Sequence, residues 1–550
     1  MTDAALAPAP AKQSATLVVG ASALGTMFEW YDFFLYGALA SVIAKHFFSG
    51  VDETTGFVFA LAAFAVGFLV RPAGALVFGR LGDLVGRKYT FLMTLVIMGW
   101  ATVLIGVVPG YDAIGLAAPL ILVGLRILQG LAIGGEFGGA ITYVAEHASA
   151  GRRGLHTAFI PATAMAGLLL SLIVIMITRA SMPADDFAVW GWRIPFLLSA
   201  LLLAISLWIR LKLGESPVFQ HMKAEAATSK APLAESFLRW ANLKFVLVAL
   251  FGVVAGQAVV FYTATFYALY FLERTAKVDG LTTTSLLALA LALAAPLVVC
   301  FGWLSDRVGR KPVVLAGYAL AALLFVPLFG ALLSAANPAL ARAKDASPVV
   351  VRADLNDCSW QFDPIGRRRF DATACDVIRA YLARAGASYS AQPRTDTGPA
   401  EVEIGTLVIA APNLASIPES ERARAIEAFR ARLEAALIAA GYVAADPAAV
   451  DRPLVVAILV ALLALAAMST GAYSALLVEL FPARIRYSAL SLPQNVGNGL
   501  FGGFLPAIAF TVVAATGDVF AGLWYPVIVA AATFVIGLFL VPETRGRSIL

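Results

Sequence analysis

The chain has 550 residues, 60% of them hydrophobic and only 14% charged, whereas an ordinary soluble domain carries about 25% charge. That balance excludes a soluble globular protein. The net charge of +5 does not point to nucleic acid, because such a partner needs a clustered basic face and here Lys and Arg fall in short loops between long apolar runs.

A bilayer core about 30 Å thick takes about 20 predominantly apolar residues per helix. Twelve such segments are predicted, over 17–44, 56–79, 89–109, 116–146, 155–179, 189–211, 243–272, 281–304, 312–334, 454–480, 487–515 and 520–541. The opening MTDAALAPAPAKQSA lacks the short apolar core and small-residue cleavage site of a secretory signal, so the first helix is expected to remain. Basic residues gather in alternate loops: Arg80, Arg87 and Lys88; Arg152 and Arg153; Lys212, Lys223, Lys230 and Arg239; Arg307, Arg310 and Lys311; Arg484 and Arg486; Arg545 and Arg547. By the positive-inside rule that side is cytoplasmic, and with twelve spans both termini are expected inside.

The loop GRLGDLVGRKYTFL (79–92) is repeated as GWLSDRVGRKPVVL (302–315) six helices later. Parallel halves of this kind are expected of a secondary transporter with its substrate site between them. The expected fold is an all-α membrane protein of twelve transmembrane helices in two six-helix bundles, over 1–211 and from 243 onward, joined by a cytoplasmic linker at 212–242. The second bundle is interrupted: 243–334 carries helices seven to nine and 453–550 helices ten to twelve. Between them, 335–452 is polar and reads as a small α/β domain, with extended runs PVVV and VEIGTLVIA and a helix starting near Pro418. By helix count it is periplasmic, where Cys358 and Cys375 most simply form one disulfide, the alternative being two reduced thiols.

At its loop motifs the chain resembles the major facilitator superfamily, matching the G-x-x-x-D-x-x-G-R-[RK] pattern at Gly79, Asp83, Gly86, Arg87 and Lys88. FEWYDFFLYG, RILQGLAIGGEFGGA, GESPVF and VELFPARIRYSALSLPQNVGNGLFGG resemble, more narrowly, the metabolite:H+ symporter branch. The resemblance covers the membrane part, roughly four-fifths of the chain, and does not extend to 335–452. It implies a proton-coupled symporter of the bacterial inner membrane that works by alternating access. It also implies a cytoplasmic gate of Asp83, Arg87, Glu146 and Arg153, with Asp306 and Arg310 as the second half's counterparts. The alternative for those charges is topogenesis alone.

Intramembrane charges are costly, about 2.5–3.5 kcal/mol at the centre of a helix on insertion scales, so they face a cavity or a partner. Asp32 lies about 22 Å from the cytoplasmic start of its helix at 1.5 Å per residue, and Arg126 about 15 Å into the fourth helix from the outer end. An ion pair between them is therefore expected. Resemblance to sugar/H+ symporters, which carry an Asp and an Arg in these places, implies Asp32 as proton acceptor and Arg126 as its modulator. Glu29, one turn away on nearly the same face, is a possible sharer of the proton, and a permanent structural salt bridge is the alternative for the group. Arg126 also suits a substrate carboxylate. Gln257, Tyr262 and Asn495 are expected to line the substrate cavity with it, or else to tie helices together. Arg71 and Glu136 are further intramembrane charges, loosely expected to pair. Gly130, Gly134 and Gly138 form a small-residue ridge for close helix packing.

There is no P-loop and no H-E-x-x-H; the four histidines, His46, His147, His156 and His221, are scattered. GNGLFG (497–502) sits in an apolar helix and follows no strand, so it is no dinucleotide site. No catalytic set, metal or cofactor is expected. The expected partners are protons, the lipid bilayer and a small polar metabolite, most simply an organic acid such as shikimate, 2-oxoglutarate or citrate, carried by a monomer. The rivals are a zwitterion carrier for proline or betaine and a receptor that captures ligand with the outer domain.

Overall fold

The computed structural model describes residues 15–547 except 52, 86, 135–140, 143, 146–147, 149, 212–238, 357, 360–372, 395–397, 415 and 483–485. In chain order the long helices are α1 (Ala15–Ala38), α2 (Thr55–Phe78), α3 (Arg87–Val107), α4 (Ala117–Gly134), α5 (Arg153–Ala180) and α6 (Arg193–Leu211). They continue as α7 (Trp240–Thr275), α8 (Gly280–Val308) and α9 (Arg310–Ala336). Among the described residues nine helices are long and apolar enough to cross a membrane, or ten if the bent pair Ala184–Gly191 and Arg193–Trp208 is one span. Of the segments expected to span, α1 and α3 have described side chains over only part of their length, and in α3 the described apolar stretch is Leu92–Val107.

After α9 the chain leaves the helical pattern. Strands β1 (Val349–Ala353), β2 (Tyr389–Pro393), β3 (Glu401–Ile404) and β4 (Leu407–Ala410) form a sheet in the order β2-β1-β3-β4. β1 and β2 are parallel, so they need a crossover, supplied by α10 (Ala374–Arg384); the other pairings are antiparallel. In β1, Val349, Val351 and Ala353 are buried while Arg352 is exposed, the period-two pattern of a strand with one covered face. The β3–β4 turn passes through Gly405 at φ +58°, a conformation that costs glycine nothing. Cys358 and Cys375 are joined by a disulfide. Helix α11 (Glu419–Ala439) then turns Ile426, Phe429, Leu433 and Leu437 inward, and α12 (Arg452–Leu480), α13 (Ala489–Thr516) and α14 (Ala521–Leu540) complete the chain.

The sheet unit is seated on the helices by polar contacts. Tyr389 N–H donates to Gly517 O at 2.9 Å, Arg379 Nη2 to Ala515 O at 2.6 Å, and the Asn337 amide to Ala276 O and Val443 O at 3.0 Å each. This end of the molecule is here called the sheet face, and the opposite end the gate face.

Besides the π-helical turn Phe187–Gly191 that precedes α6, two of the long helices depart from α geometry along part of their length. α7 contains π-helical turns at Leu250–Val254, Thr263–Tyr267 and Phe271–Thr275, and α13 one at Asn498–Gly503. Such turns free backbone groups and re-aim side chains, and they gather at functional sites.

Candidate functional site

The first-half site begins with a close approach of two helices. A Cβ on Gly130 would strike Gly67 O, and one on Gly134 would strike Arg71 O, so glycine at both places lets α4 lie against α2. This juxtaposes two arginines. Arg71 (α2) and Arg126 (α4) are 4% and 0% exposed, and each guanidinium carbon lies 4.4 Å from the centre of the Phe33 ring. At most twice that distance separates the cations. Phe68 and Trp30 also pack on Arg71, at 4.2 and 5.3 Å, and Tyr36 and Phe64 on Arg126, at 4.6 and 5.2 Å.

Arg126 Nη1 donates to Gln129 Oε1 at 2.6 Å and to Phe33 O at 3.4 Å, and Nη2 to Phe64 O at 3.3 Å. Among the described residues its Nε has no acceptor, nor do Nε and Nη2 of Arg71. No carboxylate lies within ion-pair distance of either among the described residues. A desolvated cation–π contact contributes about 2 kcal/mol or more, comparable to the insertion cost of one central charge. The aromatic cage makes the cations tolerable without neutralising them, and two donor edges stay open.

The expected ion pair between Asp32 and Arg126 is not formed. Consecutive residues of an α-helix are rotated by about 100°; Phe33 faces Arg126, so Asp32 points elsewhere, toward Ser199 on α6. Asp32 is 6% exposed, and among the described residues its Oδ1 accepts no hydrogen bond. Glu29, also buried, borders a small cleft with Thr94, Met98 and Ala132. Asp32 thus shares α1 with Phe33 but not its arginine-facing side, whereas Glu29, four residues before Phe33, lies on nearly the same face as that ring.

From the second half, α7 closes over the cage. Tyr262 meets Phe68 edge to face at 5.3 Å and stacks on Phe266 at 5.8 Å, while Phe266 lies 5.1 Å from Phe64. Gln257 is buried, and among the described residues its Oε1 has no partner. Asn495 does something else than line a cavity: its amide donates to Gly134 O at 3.1 Å and Ser491 O at 2.9 Å, tying α13 to α4 with both donors used.

On the gate face, Arg153 pairs with Glu479 at 2.7 Å, and Arg310 with Asp306 at 2.7 Å and Glu479 at 3.4 Å. Asp306 also accepts from the N–H groups of Gly154 and Leu155, at 2.9 and 2.8 Å, capping the start of α5. Thr544 Oγ1 donates to Glu479 Oε2 at 2.7 Å. Arg153, Asp306 and Arg310 are therefore brought together; the expected side chains Asp83, Arg87, Glu136 and Glu146 lie outside the described residues. Glu479 was not anticipated, although it stands in the VELFPARIRYSA motif, and neither was Gln129, three residues after Arg126 and so on its face.

On the sheet face the halves also touch. Arg274 (α7) pairs with Glu53 at 2.6 Å, Ser41 Oγ donates to Glu273 at 3.0 Å, and Tyr270 OH donates to Gly37 O at 2.6 Å.

The model of the sugar (and other) transporter family matches residues 17–237 and 222–351. The chain belongs to the major facilitator superfamily, in its metabolite:H+ symporter branch. The chain is 34% identical over 336 residues to the alpha-ketoglutarate permease of Escherichia coli (strain K12), covering 61% of the chain and 76% of the permease. It is 36% identical over 312 residues to the E. coli shikimate transporter, covering 56% and 70%. To a putative proline/betaine transporter of Staphylococcus aureus (strain MSSA476) it is 37% identical over 313 residues, covering 56% and 66%. Its fold resembles that of the xylose transporter XylE from E. coli, in a partially occluded inward open conformation, with a TM-score of 0.60, 16% identity and coverage of 97% and 99%. It is a multi-pass membrane transporter.

Proposed function

We propose that this protein imports a small organic acid together with protons, by alternating access across the bacterial inner membrane. The observation that carries the proposal is the pair Arg71 and Arg126: two buried cations over one aromatic ring, with open donor edges and no carboxylate counterion among the described residues. A substrate carboxylate fits a guanidinium edge with two parallel hydrogen bonds. Relatives named for alpha-ketoglutarate and shikimate agree with an acid. Two cations suit a dicarboxylate as well as a monocarboxylate, and Gln257 and Tyr262 from the second half complete the cavity. Asp32, buried and apart from the arginines, is the proton acceptor, with Glu29 beside it.

The proposed architecture has twelve transmembrane helices in two six-helix bundles, both termini in the cytoplasm, and the sheet unit as a periplasmic domain inserted between the ninth and tenth. The gate face is then cytoplasmic. Contacts between the halves on both faces support an occluded conformation. A second reading, a proline or betaine symporter, draws on the relatives of that name and on the first half burying both carboxylates, Glu29 and Asp32, and arginines, Arg71 and Arg126. No catalytic role is proposed.

A thermal-shift panel separates them. A ligand at about 100 times its Kd stabilises a protein by about 2.7 kcal/mol. 2-Oxoglutarate or shikimate is expected to raise Tm in the parent protein and not in Arg71→Gln. A shift with proline or betaine and none with any acid overturns the acid reading.

A further inference from the structure

Resting on the reading of Arg126 as the anion-binding cation, we infer that Gln129 is a specificity-determining positioning residue, which sets the charge of the ligand that Arg126 accepts. The argument follows one chain of hydrogen bonds. Arg126 Nη1 donates to Gln129 Oε1 at 2.6 Å, Gln129 Nε2 donates to Thr102 Oγ1 at 2.7 Å, and Thr102 Oγ1 donates to Met98 O at 2.9 Å. Arg126, Gln129 and Thr102 are each fully buried at 0% exposure.

The chain has a fixed polarity. Thr102 sits on α3 and spends its single proton on the carbonyl one turn earlier, as buried threonines in helices commonly do. Its oxygen is then an acceptor, so the glutamine must turn its NH2 toward Thr102 and its carbonyl toward Arg126. The opposite amide orientation would set NH2 against guanidinium, donor against donor. Thr102 therefore decides which end of Gln129 meets the arginine.

Two consequences follow for the guanidinium. Its Nη1 is held by a neutral oxygen at the length of a strong, charge-assisted bond, and the backbone carbonyls of Phe33 and Phe64 hold the rest of the fork. The cation is thus oriented but keeps its whole charge, and its Nε stays open. A carboxylate in place of the amide would form a buried ion pair and remove the net charge that draws an anion. Glutamine is one atom's identity away from glutamate at the same length, so this single position separates a site that demands an anionic ligand from one that is already neutral.

The test uses the full chain in proteoliposomes with an imposed pH gradient. Initial uptake of 2-oxoglutarate and of shikimate is measured for the parent protein, Arg126→Gln, Gln129→Glu, Thr102→Val and Thr102→Ser, with folding followed by size-exclusion chromatography. Gln129→Glu is expected to raise KM for the transported acid by about tenfold or more, the scale of one charge-assisted bond, with kcat changed much less. Thr102→Val, which frees the amide to turn, is expected to raise KM in the same direction by a smaller factor. Thr102→Ser restores it, because serine keeps the hydroxyl. In the Arg126→Gln background the Thr102→Val effect on KM should vanish, since residues acting through one partner are not additive. If Arg126→Gln raises KM for the acid while folded Gln129→Glu, or Thr102→Val should Gln129→Glu not fold, keeps the parent KM, the inference on Gln129 is overturned and the anion reading stands. If Arg126→Gln keeps the parent KM, or the parent accumulates neither acid, the anion reading falls and this inference with it.

Discussion

Arg153 Nη1 lies 2.7 Å from Glu479 Oε1, with side-chain exposures of 4% and 0%, so a buried ion pair joins α5 of the first half to α12 of the second. The same carboxylate receives Arg310 and Thr544. Removing one partner of a buried pair leaves the other charge unpaired, at a cost of about 3–5 kcal/mol.

Glu479→Gln is therefore expected to lower the stability of the conformation seen here by about that amount, read as a fall in Tm and as faster labelling of a cysteine introduced on the gate face. The pair Arg274–Glu53 on the sheet face is the contrast. Its side chains are 23% and 44% exposed, and solvent screening holds such pairs to about 0–1 kcal/mol. Glu53→Gln should leave Tm almost unchanged. Equal losses from the two substitutions would contradict the idea that closure on the gate face is the stronger.

The cage predicts how the two arginines differ. Arg126 is held by three hydrogen bonds and Arg71 chiefly by aromatic faces. Arg71→Lys should therefore weaken acid binding by about tenfold, as an ammonium lacks the planar fork that pairs with a carboxylate while lying on a ring. Isothermal titration with 2-oxoglutarate and shikimate measures it; undiminished affinity would remove Arg71 from the site.

The disulfide predicts a local effect. Cys358 and Cys375 are 17 residues apart, and a bridge closing a loop of this size contributes about 3 kcal/mol. Cys358→Ser with Cys375→Ser should speed amide exchange in β1 and α10 while leaving α8 and α12 protected. Uniformly faster exchange through the membrane helices would show instead that the sheet unit and the bundle unfold as one.

Much of this was legible because the bilayer imposes a strong rule: apolar length marks a membrane helix, and charge inside one marks a site. Asp32, Arg71 and Arg126 stand out by that rule alone. Their partners do not, because pairing depends on helix rotation. Asp32 and Phe33 are neighbours in sequence but a rotation of about 100° turns Phe33 to the arginines and Asp32 away from them. Asn495 was legible as a buried polar group, yet only the meeting of α13 with α4 shows that Gly134 O takes its donor. Glu479 was hidden for a similar reason, since its partners lie 326 and 169 residues away along the chain. The strands β3 and β4 follow from apolar runs around Gly405, whereas β2, YSAQP, is almost wholly exposed and carries no alternating pattern to find.

The central claim, an organic acid drawn in by protons through Asp32, is tested most directly by uptake into proteoliposomes under an imposed pH gradient, acid outside, with the parent protein and Asp32→Asn compared. The account predicts that the parent accumulates 2-oxoglutarate or shikimate above equilibrium and loses the gain when the gradient is collapsed. Asp32→Asn should still exchange labelled acid across the membrane but not concentrate it. Undiminished gradient-driven accumulation in Asp32→Asn would contradict the account.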